Sequence, residues 1–112
     1  WTAPVDTRVI TVPIGYGDGY VRKLSNRGEV LIRGKRYPVV GRVCMDQLMV
    51  NIGPDGVAYN GDEVVLLGEQ NGEAISVADI TTHLDGNPRE FLVSTNLRIP
   101  RRYHYRGEVT LA

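Results

Sequence analysis

Apolar and β-branched residues along this chain come in short runs broken by glycine, proline and asparagine, the rhythm of strands and turns rather than of long helices. The run from Arg8 to Ile14 is halted by Pro13 and Gly15, which predicts a strand leading into a loop. Two further β-prone runs, Glu29 to Arg33 and Arg36 to Val43, are separated by Gly34-Lys35, where glycine at the first central position suits a type II′ hairpin turn. Pro38 lacks the N–H a ladder needs, so the second run reads as an edge strand or the beginning of one. The pattern breaks at Gly41 to Gln47, resumes over Leu48 to Ile52 and breaks again at Gly53-Pro54-Asp55-Gly56. Asn60-Gly61-Asp62 then introduces a strand over Glu63 to Leu67, closed by Gly68.

Beyond that point the period lengthens. Ser76 and Asp79 have the spacing of a capping box, with Val77, Ile80, Thr81 and Leu84 on one helical face. Asn87, Pro88 and Glu90 supply a second helix start, as N-cap, N1 and N3, with Phe91, Leu92 and Val93 for its buried side. Tyr103 to Leu111 reads as a returning strand. The expectation is one mainly β domain over residues 1–112, strand-rich with two short helices.

Composition narrows the function classes. The 13 basic side chains balance the 13 acidic ones, which argues against nucleic acid as a partner. The cluster Arg98, Arg101, Arg102 and Arg106 is explained more simply as a solvated or interface face. A single cysteine, Cys44, rules out an internal disulfide framework and suits a reducing, cytoplasmic setting. No run approaches the ~18 to 20 apolar residues that span a bilayer, so no membrane role is expected. A secretory signal pattern is also missing at the amino end. Trp1 opens the chain without an initiator Met, which suggests a fragment or a processed product.

His83 and His104 form no metal-ligand spacing with Cys44, and no serine sits in a nucleophile elbow, so neither a metal site nor a catalytic residue is assigned. His83 reads as a partly exposed helix residue and His104 as an outward strand position. Two loops carry the candidate chemistry. In Gly15 to Tyr20, three glycines alternate with Tyr16, Asp18 and Tyr20. The spacing fits neither a P-loop nor the dinucleotide fingerprint. A tight structural loop explains it as well as a ligand site does, but Tyr16 and Asp18 held among glycines could offer a ligand a rigid polar face, with Arg22 and Lys23 close behind. In Gly41 to Gln47, Arg42 could grip a carboxylate or phosphate and Asp46 could orient it. Met45 reads first as core, although its backbone N–H could serve a carboxylate whatever the side chain does. Cys44 as a nucleophile is the weaker idea, with only Arg42 nearby in sequence to lower its pKa.

The segments Val12 to Tyr20 and Gly41 to Gln47, in that order and separation, with Arg98-Ile99-Pro100-Arg101 after them, resemble the hallmark segments of the alanine racemase family. The resemblance covers essentially the whole chain and is to the carboxy-terminal β domain alone. It implies a strand-rich fold, a pyridoxal phosphate cofactor held by a lysine of an amino-terminal β/α barrel absent here, and interconversion of L- and D-alanine. D-Alanine from that reaction supplies bacterial peptidoglycan. It further implies a cytoplasmic homodimer in which these loops reach the barrel of the other subunit.

By the same resemblance, the Met45 main-chain N–H binds the substrate carboxylate and Tyr16 gates the substrate corridor. Arg22, Arg42 and Asp46 lie further out on the corridor or brace the loop. The family's second base, a tyrosine, is expected just before Trp1, leaving this fragment inactive alone. Leu97 departs from members that carry a corridor tyrosine before the Arg-x-Pro-Arg segment, which keeps serine or several small amino acids open as substrates. A non-catalytic β-domain binding module is the alternative from a different class.

Overall fold

The computed structural model describes residues 1–82, 99–105 and 108–111, with backbone alone for 105 and 108–111. Five strands form one antiparallel sheet: β1 (Arg8–Val12), β2 (Glu29–Ile32), β3 (Lys35–Val40), β4 (Leu48–Gly53) and β5 (Val64–Val65), in the order β1-β4-β3-β2-β5. The sheet curls, since Ile10 and Val12 of one edge strand line the same cleft as Val64 of the other. Two separate hairpins follow, β6 (Gly68–Gln70) with β7 (Glu73–Ile75), and β8 (Arg102–Tyr105) with β9 (Glu108–Leu111). Between them lies α1 (Val77–Thr82). The strand-rich architecture expected from the sequence is the one observed. The second expected helix, Asn87 to Val93, lies outside the described residues, as do His83, Leu84, Leu97 and Arg98.

Along β4 the burial alternates: Leu48, Val50 and Ile52 point into the core while Met49 is exposed, as the two-residue period of a strand requires. β2 breaks that alternation because Val30, Leu31 and Ile32 are all fully buried. A strand with three apolar residues in succession needs cover on both faces. Ile75 of β7 and Ile80 of α1 belong to the same core cluster and contribute that second layer. Each such side chain withdrawn from water contributes about 1.5–3 kcal/mol.

Several local expectations are corrected. Ile32 pairs with Lys35, so the hairpin turn is Arg33-Gly34 rather than Gly34-Lys35. Their φ values of 52° and 77° make it type I′, not II′. Arg33 is held in that left-handed conformation by Asp62, receiving Nε at 2.9 Å and Nη2 at 3.3 Å, and its guanidinium lies 5.3 Å over the Tyr59 ring. Pro38 sits in an inner strand, not an edge. It is tolerated because Val39 donates toward β2, at 2.8 Å to the Gly28 carbonyl, leaving position 38 on the β4 side, where pairing begins only at Val39. Gly68 opens β6 instead of closing the strand before it. The returning strand from Tyr103 is a hairpin.

The β6–β7 hairpin was not expected, although Asn71-Gly72 (φ 48° and 85°) is the strongest short-range sign of a type I′ turn. The three-residue strands beside it are too short for a legible period.

The capping box forms as expected. Ser76 N–H donates to Asp79 Oδ2 at 2.8 Å, and Asp79 N–H donates to Ser76 Oγ at 3.0 Å. Arg36 on β3 ties this helix start to the sheet, with Asp79 at 3.6 Å, Glu73 at 3.1 Å and Glu29 at 3.7 Å, and it donates to the Ala74 carbonyl. The Ser76 N–H first, then the Ser76 hydroxyl and Arg36, hold the Asp79 carboxyl below its ordinary value of 3.8. A carboxylate depressed in the folded state stabilises above its unfolded pKa, and that stabilisation is lost as pH falls through the folded value. Urea midpoints measured from pH ~5 down to ~2 should therefore fall less steeply in Asp79→Ala than in the parent. Parallel acid limbs would show that the box contributes nothing.

Candidate functional site

β1 delivers the chain into the glycine loop, and β3 delivers it into the second loop. The two loops meet. Tyr16 N–H donates to the Cys44 carbonyl and Gly17 N–H to the Met45 carbonyl, each at 2.9 Å. Gly15 is what allows this approach. A Cβ there would stand 2.1 Å from the Cys44 oxygen and 2.6 Å from the Met45 oxygen, both backbone atoms that cannot swing aside.

The rest of the glycine loop folds on itself as a 3₁₀ turn over Tyr16–Asp18. Gly15 N–H donates to Asp18 Oδ2 at 3.2 Å, Asp18 and Tyr20 N–H groups donate to the Gly15 carbonyl, and Gly19 N–H donates to the Tyr16 carbonyl. Every amide from Gly15 to Tyr20 thus has an acceptor inside the protein. No donor is left for a phosphate, so the loop is not an anion cradle.

The two tyrosines of the loop differ. Tyr20 is 3% exposed, with its hydroxyl against Gly28, where a Cβ would come within 2.2 Å. Burial, then the charge of Glu29, pushes its pKa well above the usual phenol range, so it stays a neutral core residue. Tyr16 is 41% exposed, and the Arg22 guanidinium lies 5.6 Å from its ring centroid. Such a stack restrains the phenol on the surface. Asp18, read from sequence as a partner of Tyr16 toward a ligand, faces inward at 4% exposure and braces Gly15.

The second loop closes at its base, where Cys44 N–H donates to the Gln47 carbonyl at 2.9 Å. Met45 and Asp46 form its tip. The Met45 side chain is 54% exposed, which removes the core-packing reading. Arg42, Cys44 and Asp46 are exposed too. The Cys44 thiol donates to the Arg42 carbonyl at 3.7 Å.

Ser25 and Asn26, which sequence reasoning passed over, anchor this loop from the far side. Ser25 Oγ donates to the Arg22 carbonyl at 2.6 Å and accepts from Val43 N–H at 2.8 Å. Asn26, at φ 58°, accepts from Gly41 N–H through Oδ1 at 2.7 Å, and its own N–H donates to the Gly41 carbonyl at 3.2 Å. The succession Ser25-Asn26-Arg27-Gly28 is a cluster of turn formers, and that was the available sign. Tyr16 and Arg22 are in direct contact, and Met45 is joined to the glycine loop through its backbone. Among the described residues no group of three or more His, Cys, Asp or Glu side chains could hold a metal ion, and no helix is long and apolar enough to cross a membrane.

Known proteins resemble this chain in sequence and fold. The family model for the alanine racemase carboxy-terminal domain matches residues 1–103. "Alanine racemase 2" of Caldanaerobacter subterraneus is 50% identical over 103 residues, covering 92% of this chain and 26% of that protein. "Alanine racemase 2" of Bacillus subtilis is 50% identical over 101 residues, covering 90% and 26%. The crystal structure of alanine racemase from Bacillus anthracis with bound L-Ala-P superposes with a TM-score of 0.84 at 36% identity, over 93% of this chain and 26% of that one. The chain spans about a quarter of the length of these relatives. The chain belongs to the alanine racemase family, matching its carboxy-terminal domain over residues 1–103.

Proposed function

We propose that this chain is the corridor-forming, carboxylate-binding domain of a pyridoxal-phosphate-dependent alanine racemase. The intact enzyme interconverts L- and D-alanine and supplies D-alanine for peptidoglycan in a bacterial cytoplasm. In this reading Met45 offers its main-chain N–H to the substrate carboxylate and Tyr16 narrows the corridor. Arg22 steadies the Tyr16 ring, and Arg42 and Asp46 line the outer approach. The loops act on the barrel of the second subunit of a homodimer. The observation that carries the reading is the tip of the second loop, where Met45 is exposed and its N–H has no acceptor among the described residues.

Pyridoxal phosphate supplies, when bound, the electron sink that acidifies the substrate α-carbon. The two loops do not fit that group: the glycine-loop amides are occupied, and neither loop contains a lysine. It belongs to the barrel, and no step of it runs through this chain. What these residues do is position. A donor fixed by a rigid loop holds the carboxylate, and with it the α-carbon, at one orientation.

The test is racemisation by the full-length protein carrying residues 1–112, followed by circular dichroism of alanine, with serine in parallel. Interconversion of alanine in preference to serine is expected, together with no turnover by residues 1–112 alone. A full-length protein inert toward alanine would overturn the proposal.

The Met45→Pro variant deletes the donor and should raise KM for alanine by about tenfold, the worth of one hydrogen bond to a charged group. Met45→Ala keeps the donor and should change KM much less. Equal effects of the two would assign the role to the side chain.

A further inference from the structure

A peptide unit is planar and trans, so its C=O and N–H point in opposite directions. The Cys44 carbonyl shares a unit with Met45 N–H, and the Met45 carbonyl shares one with Asp46 N–H. Both carbonyls are turned toward the glycine loop, where they accept from Tyr16 and Gly17 at 2.9 Å. Both N–H groups therefore point away from it. They sit at the tip of a turn pinned at its base by the Cys44-to-Gln47 bond, on two exposed residues. Among the described residues neither has an acceptor.

Two successive amides directed to one side of a turn form a concavity suited to an anion. The bond to each carbonyl polarises its own unit, which strengthens the N–H opposite. We propose that the Asp46 N–H is a second donor to the substrate carboxylate, so that Met45 and Asp46 each hold one of its oxygens. This rests on the carboxylate-binding reading above and extends it. One donor fixes a point, whereas two fix the plane of the carboxylate and hence the face of the α-carbon presented to each base. The glycine loop then acts on substrate geometry at one remove, because its Tyr16 and Gly17 amides set the direction of both donors. The Asp46 side chain works against binding through its charge. Its exposure to solvent leaves that repulsion screened by water and salt.

In the full-length enzyme, replacing residue 46 or residue 45 by its α-hydroxy acid converts one amide to an ester, which removes one N–H and weakens the carbonyl of the same unit as an acceptor for Gly17 or Tyr16. Propionate, a carboxylate without an amino group, is the probe. Each ester should weaken propionate inhibition by roughly tenfold, with kcat moved less than KM. Asp46→Asn keeps the amide and removes the opposing charge, so it should tighten propionate. Weakening by the ester at 45 but not at 46 overturns this inference and leaves the single-donor reading standing. Weakening by neither sinks both. Loss of binding in Asp46→Asn equal to that of the ester would make the side chain the agent and overturn the inference as well. A measurement on the unaltered enzyme guards against a misfolded ester: the Asp46 amide proton, in protein labelled with ¹⁵N-aspartate, should move downfield as propionate saturates. An unmoved resonance at saturation also overturns it.

Discussion

Gly15→Ala in the full-length protein is expected to lose about 3 kcal/mol of stability, the range of an overpacked interior, and, with the proposed racemase activity, on the order of 100-fold in kcat/KM, the scale of an ångström-sized misplacement. The cause is contact, not backbone strain, since Gly15 lies at φ −155°, open to any residue. The added methyl would meet the oxygens of Cys44 and Met45 at 2.1 and 2.6 Å, and relief requires the two loops to part. Parting breaks the bonds from Tyr16 and Gly17 that aim the tip of the second loop. Urea denaturation and steady-state kinetics on the same preparation measure both losses. A variant with the parent's midpoint and KM would show that the loops are not in contact.

Leu24→Ala should be comparably destabilising, by about 3 kcal/mol, yet much milder on KM. Leu24 is fully buried within the 3₁₀ turn Arg22–Leu24. Its carbonyl accepts from Arg27 and Gly28 at 3.0 and 2.9 Å, and those backbone bonds survive truncation. What is lost is packing beneath the turn, in the core cluster that Leu24 shares with Tyr20. The loop anchors at Ser25 and Asn26 use a side-chain hydroxyl and amide that truncation leaves intact. The denaturation midpoint should therefore drop while KM for alanine stays within about threefold. A KM effect as large as that of Gly15→Ala would mean that the turn itself had shifted.

The longer strands of the sheet were legible as apolar runs between breakers, alternating in β4 though not in β2, whereas the strand expected over Glu63 to Leu67 is only Val64–Val65. Leu48 to Ile52 shows such a run, and Pro13 and Gly15 such a stop. Turn geometry was less legible. Composition favoured glycine at the first turn position between β2 and β3, whereas Asp62, 29 positions away, holds Arg33 there instead. Pro38 misled for a similar reason, since its place depends on where β4 stops pairing, a long-range fact. Asn71-Gly72 was a local signal overlooked because its flanking strands are so short. At the site, both loops were visible as breaks in pattern, but the division between Tyr16 outside and Asp18 inside was not. Alternation of glycine with polar residues says nothing about which side chain turns inward. Ser25 and Asn26 were missed because they act on a loop fifteen or more residues away.

The joining of the two loops through main-chain atoms has a consequence for how such a site tolerates drift in its sequence. A scan of all substitutions across residues 15–47, read by growth that depends on D-alanine, should not map onto closeness to substrate. Met45, the proposed main-chain donor to substrate, should accept many side chains other than proline. Gly15, whose Cα faces the backbone of the second loop, should accept none. An inhibitor that relies on the Met45 side chain could be evaded by a single codon change, whereas one that hydrogen-bonds to the amides of that turn would leave few routes of escape.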